Sequence, residues 1–231
     1  MPGVSSAQLS TGDARAFVAL RASHIGALAP MMTPAMIGRK LNGAQLGVRY
    51  GLLDEGGVLT HGIAGSAIFG VGLQSSMVLT AGVREANCNG CTPALLLGLG
   101  GDMRVMEAGD VVGSGSSLSV AVSGDIGFAQ LKPNEAIALG VGAPVTLTLG
   151  AGGRDAMRFV SYFTPTFGIG ETNADCPAFG SCERTGTRWV LGGGIGLWNP
   201  MSNVSASIGI NQVMLSGAQP VYGVNVVLGG R

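Results

Sequence analysis

Charged residues are scarce in this 231-residue chain, and the few that are present balance each other. Only 11% of the residues are Asp, Glu, Lys or Arg, and 13 basic residues stand against 13 acidic ones. A chain with no basic excess gives no electrostatic reason to bind nucleic acid. The chain also lacks any run of about 18 or more apolar residues, which excludes a membrane-spanning helix.

Histidine and proline are also rare, with 2 and 10 residues, whereas 41 residues are glycine and 46% are hydrophobic. Disordered Gly-rich chains are hydrophilic and rich in Pro, Ser and Gln, so a mean hydropathy of +0.42 excludes that class. The length suits a single domain, since all-β barrels of this size commonly form one. The composition therefore describes an ordered chain that is too apolar and too glycine-rich for an ordinary soluble domain.

What the chain has in abundance is alternation with a period of two. In residues 136–150, AIALGVGAPVTLTLG, every second residue from Ile137 to Leu149 is apolar, and those between are small or weakly polar. This period indicates a strand with two different faces. A soluble sandwich would carry charge on its outer face, whereas a barrel in lipid is apolar outside and small and polar inside. The uncharged second face therefore favours a barrel in a membrane.

The same alternation recurs from residue 44 to residue 228, interrupted by short turn signals such as Asn89-Gly90. It predicts about ten strands, each long enough for a tilted bilayer crossing of about 9–11 residues. The predicted fold is an all-β, up-and-down antiparallel transmembrane β-barrel of about ten strands, with eight or twelve as alternatives. The barrel domain is predicted to cover residues 43–231, preceded by an extension over residues 1–42.

The N-terminal extension shows no alternation. Val4 to Ala7, followed by Gln8, places small residues as at the end of a signal peptide, so a signal-peptide remnant is one interpretation. An ordinary polar N-terminus is the alternative, and both stay open. Residues 28–38, LAPMMTPAMIG, contain two prolines and predict an irregular apolar linker.

The chain resembles the bacterial outer-membrane β-barrel proteins, most clearly from Leu118 to Leu228. The segments that carry the resemblance are SLSVAVSGDIGF, GAPVTLTLG, FVSYFTPTFGIG, LGGGIGLW and PVYGVNVVLGG. The resemblance implies the outer membrane of a Gram-negative bacterium as location. It implies outer-membrane lipids and the barrel assembly machinery as partners, and no cofactor. The expected role is non-enzymatic: structural, or porin-like with a narrow pore.

Two alternative functions remain. A rim-active outer-membrane enzyme would need a histidine, and His61, beside Thr60 and near Asp54 and Glu55, is the candidate. A soluble secreted barrel could instead bind an apolar ligand in its interior. A need for detergent to keep the protein in solution would exclude the soluble secreted barrel. Loss of activity in His61→Ala would support the rim-active enzyme.

Four cysteines form two close pairs, Cys88 with Cys91 and Cys176 with Cys182. Counting strands backward from a periplasmic C-terminus puts both pairs on loops at the extracellular end. An even number of loop cysteines in an exported protein favours disulfides, each closed within its own loop. The alternative is one four-thiolate metal site built by both loops, although the spacing is loose for zinc.

Charged residues on the small, polar face are expected to point into the barrel. Such charges pair with one another, fix the strand register and fill a narrow lumen, or they form a pore constriction or a ligand site. The predicted lumen charges are Arg49, Arg84, Asp102, Arg104, Asp125, Arg158 and Arg188.

Overall fold

The structure is a computed structural model. It describes residues 44–55, 58–71, 74–87, 93–112, 115–131, 134–150, 156–172, 185–214 and 219–229. These residues form β1 (Ala44–Glu55), β2 (Val58–Gly70), β3 (Ser75–Ala86), β4 (Ala94–Gly109), β5 (Ser117–Leu131), β6 (Asn134–Gly142), β7 (Val145–Gly150), β8 (Arg158–Thr172), β9 (Thr185–Asn199), β10 (Val204–Val213) and β11 (Val221–Gly229). The predicted extension, residues 1–42, lies outside the described residues.

The strands form one closed antiparallel sheet. Apart from β6 and β7, each strand pairs with its neighbours in sequence, and β1 pairs with β11 to close the ring. Because β6 and β7 follow one another along the same partners, β5 and β8, they occupy a single position in the wall. The ring therefore has ten strand positions, and the predicted up-and-down antiparallel barrel of about ten strands is confirmed.

The two faces of the wall follow the alternation in the sequence. On β1, Leu46 is 65% exposed and Val48 is 57% exposed, whereas Gln45 and Arg49 between them are buried. Successive residues of a strand point to opposite faces, so the apolar set lies outside and the small or polar set lies inside. Asp54, Glu85 and Glu171 are the outward-facing acidic side chains among the strand residues whose burial is described, and all three lie at one end of the barrel.

A proline explains the one break in the predicted strand 136–150. Ala121 N donates to Pro144 O at 2.9 Å, and Ala143 N donates to Pro165 O at 3.0 Å. Proline has no N–H, so each of these residue pairs makes one hydrogen bond where an ordinary antiparallel pair makes two. The wall continues through this point in register, although the strand is divided into β6 and β7.

The register fixes the tilt of the strands. Starting at Arg49, each residue has a directly opposite partner on the next strand, and following these partners around the barrel in one direction ends at Thr172 on β8. In the other direction they lead to Val160 on the same strand, 12 residues earlier (172 − 160). With ten positions and this stagger, standard strand spacings give a tilt of about 40°, within the range of closed barrels. Each step to the next strand then shifts the level by about 3 Å along the axis.

The barrel has two distinct ends. We call the terminal end the one where β1 begins and β11 ends, and the far end the opposite one. At the terminal end, Asn199 Oδ1 accepts a hydrogen bond from Met201 N at 3.0 Å and caps the tight turn before β10. The outward-facing Asp54, Glu85 and Glu171 lie at the far end. Within the described residues, no helix is long and apolar enough to cross a membrane.

Candidate functional site: a polar cluster across the lumen

Arg49 is the centre of a polar cluster inside the barrel. Its Nε donates to Asn225 Oδ1 at 3.3 Å, and Asn225 Nδ2 donates to Ser207 Oγ at 3.4 Å. The register explains this chain of contacts, because Arg49 faces Asn225 on β11, which faces Ser207 on β10. Arg49 is 3% exposed and Asn225 is 1% exposed. A charged group buried this deeply needs such partners, since an unpaired buried charge is strongly unfavourable.

The cluster also reaches the opposite wall. Tyr162 on β8 forms a side-chain hydrogen bond with Ser207, and Asp125 on β5 interacts electrostatically with Arg49. We call Arg49, Asp125, Tyr162, Ser207 and Asn225 the Arg49 cluster. Four of its members lie along one stretch of the wall, on β1, β11, β10 and β8, and Asp125 on β5 is the member from the other side of the ring.

The position of the Tyr162 side chain depends on a glycine on the neighbouring strand. Gly194 lies opposite Tyr162 across the β8–β9 pair. A Cβ at Gly194 would lie 2.5 Å from the Tyr162 hydroxyl and 2.7 Å from its Cζ, and it would also overlap Ile208 O. The phenol ring therefore lies over the backbone at residue 194, which only glycine permits. Side by side with it on the inner face, Gly209, Gly223 and Gly51 continue the row.

The predicted lumen charges lie on the inward-facing positions of their strands. At the terminal end, Ser76 Oγ donates to a carboxylate oxygen of Asp102, which is 7% exposed. Arg104 Nη1 lies 2.5 Å from Glu107 Oε2, and this ion pair lies at the rim. The structure therefore does not collect the predicted charges into one site, and only Arg49 and Asp125 belong to the Arg49 cluster.

The other three arginines lie away from the centre. At the terminal end, the Arg158 guanidinium lies over the Trp198 ring, 5.4 Å from its centroid. Arg84 on β3 and Arg188 on β9 lie toward the far end, and Arg188 Nη1 donates to Thr187 O at 2.7 Å. The register puts them five positions apart in a ring of ten, on opposite walls. The stagger and tilt of the strands place Arg84 and Arg188 at the same height along the barrel axis, about 11 Å from Arg49 toward the far end.

The candidate catalytic histidine lies on the outer face. His61 Nδ1 and the Tyr50 hydroxyl are 2.6 Å apart, and both side chains are exposed. Thr60 is buried on the inner face, so the strand separates it from His61. Within the described part of the chain, no group of three or more His, Cys, Asp or Glu is placed to hold a metal. The four cysteines, Cys88, Cys91, Cys176 and Cys182, lie outside the described residues.

Tyr162, Asn225 and Ser207 were not predicted from the sequence as members of a site. Asn225 had a visible signal, because it is the one polar side chain in the alternating run 221–228. Tyr162 also had one, as an aromatic residue on a face otherwise made of small or polar residues. Their meeting with Arg49 depends on the register of strands far apart in sequence, which no local pattern encodes.

Comparison with known proteins gives a limited result. No family model matches the chain, and no curated protein sequence matches it. Among solved structures, the chain is similar to the translocator domain of autotransporter NalP from Neisseria meningitidis. The identity is 13% and the TM-score is 0.31, over 81% of this chain and 86% of that one. By its closed ten-position meander, apolar outer surface and polar lumen, the chain has the architecture of the outer-membrane β-barrels.

Proposed function

We propose that this chain is a non-enzymatic outer-membrane β-barrel with a narrow passage, restricted at mid-height by the Arg49 cluster. The observation that carries the proposal is the Arg49 cluster, in which polar side chains from five strands interact inside the barrel. Elsewhere, many inward positions hold Gly, Ala, Ser or Thr, which leave room inside the wall. A barrel of ten strands with this lining is only as open as its narrowest ring of side chains.

A purely structural barrel is the second candidate, because one observation favours it. Ile68, Val78 and Val227 are buried against one another on the inner face, on the terminal side of Arg49. Apolar side chains packed inside a barrel fill it and contribute stability, as in small closed barrels. On this alternative, the lumen is a core rather than a passage.

Conductance measurements on the purified protein in planar lipid bilayers distinguish the two candidates. A narrow passage gives small current steps in the wild type and larger steps in Tyr162→Ala, which removes the aromatic ring of the Arg49 cluster from the inner face. Tyr222→Ala is the matched control, since Tyr222 is 55% exposed on the outer face. Unchanged steps are expected there. Absence of current in the wild type and in Tyr162→Ala would support the structural barrel and refute the passage.

The proposed location is tested by cell fractionation. The protein is expected in the outer-membrane fraction, with migration on a gel that changes on heating because the closed barrel resists unfolding in detergent. Both expectations follow from an outer surface that is apolar through the middle of the barrel. A protein that stays in solution without detergent would instead support the secreted carrier of apolar ligands.

The non-enzymatic role is supported by the surroundings of His61. Its ring contacts Tyr50 on the outer face and is separated from Thr60 by the wall. A general base must lie within hydrogen-bond reach of the proton that it abstracts, and the neighbouring hydroxyl of Thr60 lies on the other side of the wall. The purified protein is therefore expected to show no hydrolysis of peptide or lipid ester substrates. An activity that disappears in His61→Ala would contradict this.

The proposal includes two disulfides that close extracellular loops, Cys88 with Cys91 and Cys176 with Cys182. Closing such short loops removes little chain entropy from the unfolded state, so the entropic stabilisation is about 2 kcal/mol or less for each disulfide. Replacing all four cysteines by Ser is therefore expected to lower stability mildly and leave folding intact. Mass spectrometry of non-reduced peptides checks the pairing. Four free thiols, a crosslink between the two loops or stoichiometric zinc would each rule it out.

A further inference from the structure

The hairpin formed by β4 and β5 extends past the end of β3 at the terminal end. β4 pairs with β3 as far as Met103, and Arg104 N then donates to Gln74 O at 2.9 Å. Over residues 105–109, β4 pairs with β5 alone among the described strands. We call residues 105–109 the open edge, because the backbone groups on their outer side have no strand beside them in the described part of the chain.

Hydrogen bonds fix the tip of this hairpin. Asp110 N donates to Ser116 O at 2.7 Å, and Asp110 Oδ1 accepts a hydrogen bond from Gly115 N at 2.9 Å. Ser116 Oγ accepts another from Val112 N at 2.9 Å. The tip is therefore held in one conformation, in which Val111 is 43% exposed and Val112 is 69% exposed.

The hairpin also exposes apolar side chains along the open edge. Val105 and Met106 are each 54% exposed. By the register and tilt, Val105 lies about 28 Å along the axis from Glu85, one of the outward-facing carboxylates at the far end. The apolar band of an outer-membrane barrel is about 25 Å tall, so the hairpin extends out of the band at the terminal end. Exposed apolar groups outside the lipid indicate an interaction with protein.

A second copy of the barrel in the same membrane does not fit the open edge. Copies in one membrane have the same orientation, so β4 runs toward the terminal end in both of them. A two-fold axis along the membrane normal would make the two β4 strands cross at about 80°, twice the strand tilt. Paired strands run nearly parallel or antiparallel. An extended segment of a different protein can meet this requirement, because its direction is not fixed by the membrane.

We propose that the open edge binds an extended segment of another protein, in the compartment at the terminal end, by β-strand addition; this rests on the membrane location proposed above and not on the passage. In this mode, main-chain hydrogen bonds hold the added strand, and its alternate side chains give specificity. The partner places apolar side chains beside Val105 and Met106. From Arg104 to Ser119 the sequence has one basic and two acidic residues, and Arg104 pairs with Glu107. A basic residue in the partner therefore complements Asp110.

The test uses a capped, fluorescein-labelled peptide of eight residues that alternates Val and Lys. Fluorescence anisotropy with the purified barrel in detergent is expected to show binding. A peptide of the same sequence, N-methylated at alternate residues, has the same charge but lacks the donors of one edge. It is expected to bind about tenfold more weakly or less, because several hydrogen bonds are lost. Amide exchange at residues 105–109 is expected to slow when the unmodified peptide is bound.

Two methionine variants separate the open edge from the rest of the terminal end. Met106→Lys places a positive charge at the open edge and is expected to weaken binding of the basic peptide. Met201→Lys makes the same change at an exposed residue of the turn before β10, at the same end, and is expected to leave binding unchanged. Heat-modifiable migration confirms that both variants form the closed barrel.

Three results would overturn the proposal. The first is absence of binding by the unmodified peptide, and the second is equal binding of the two peptides or of the two variants. The third is slow amide exchange at residues 105–109 without peptide, which would show that this chain or a second copy already covers the open edge. None of these measurements depends on current through the lumen, so the passage is tested separately.

Discussion

Replacing Val48 by arginine tests whether the apolar outer face contacts lipid. Val48 is 57% exposed and lies beside Arg49 in the sequence, near the middle of the apolar outer surface. An arginine on the lipid face costs about 2–4 kcal/mol at the bilayer midplane and about 0–1 kcal/mol near the interfaces. Val48→Arg is therefore expected to reduce the folding equilibrium constant by about 30- to 700-fold, at about 1.4 kcal/mol for each factor of ten.

Leu95→Arg is the matched control. Leu95 is 41% exposed on the same face, but it lies one residue into β4 at the far end, near the outward-facing Glu85. The free energy of unfolding is measured by urea titration of the protein folded into lipid vesicles. Equal costs for the two variants would refute the membrane-facing assignment. Changes within about 0.5 kcal/mol for both would indicate an ordinary solvent-exposed surface.

Two further stability predictions concern the inside of the barrel. Gly194→Ala is expected to lower the free energy of unfolding by about 1–3 kcal/mol, because the added Cβ overlaps Tyr162 and forces the wall to shift. Gly100→Ala is the control and is expected to lower it less, because its Cβ would lie 3.4 Å from its nearest neighbour. Urea midpoints of the two variants check this, and equal losses would contradict it. Ser76→Ala is expected to lower the free energy of unfolding by about 1–3 kcal/mol, because the buried Asp102 carboxylate loses a hydrogen-bond donor. A urea midpoint equal to that of the wild type would show that this hydrogen bond contributes nothing to stability.

The two faces of the wall could be predicted from the sequence alone. A period of two assigns every residue of a strand to one side or the other without knowledge of its neighbours. Ile137 and Leu139 were predicted to share the apolar outer face, and the structure exposes both and buries Ala138 between them. Closure into an up-and-down barrel follows from the uncharged second face and the short turns, which allow each strand to pair with the next.

What lies inside the barrel could not be predicted in this way. The Arg49 cluster depends on which residue faces which across ten strands, and on a stagger of 12 residues that no single strand reveals. Tyr162 reaches Ser207 because Gly194, on the strand between them, has no side chain. The division of the strand at Pro144 was also missed, because the alternation continues through the proline.

The break at Pro144 gives the closed wall a short length of edge. A ring of strands normally has no edge, because every backbone donor and acceptor has a neighbour to bond. Here the carbonyls of Ala121 and Ala143 face prolines that cannot donate, within the apolar part of the wall. The hydroxyls of Ser123 and Thr166 lie over the adjacent glycine, Gly142, on the inner face of the wall. On heating, the amides of Ala121 and Ala143 should therefore exchange with water before those of the seam between β1 and β11.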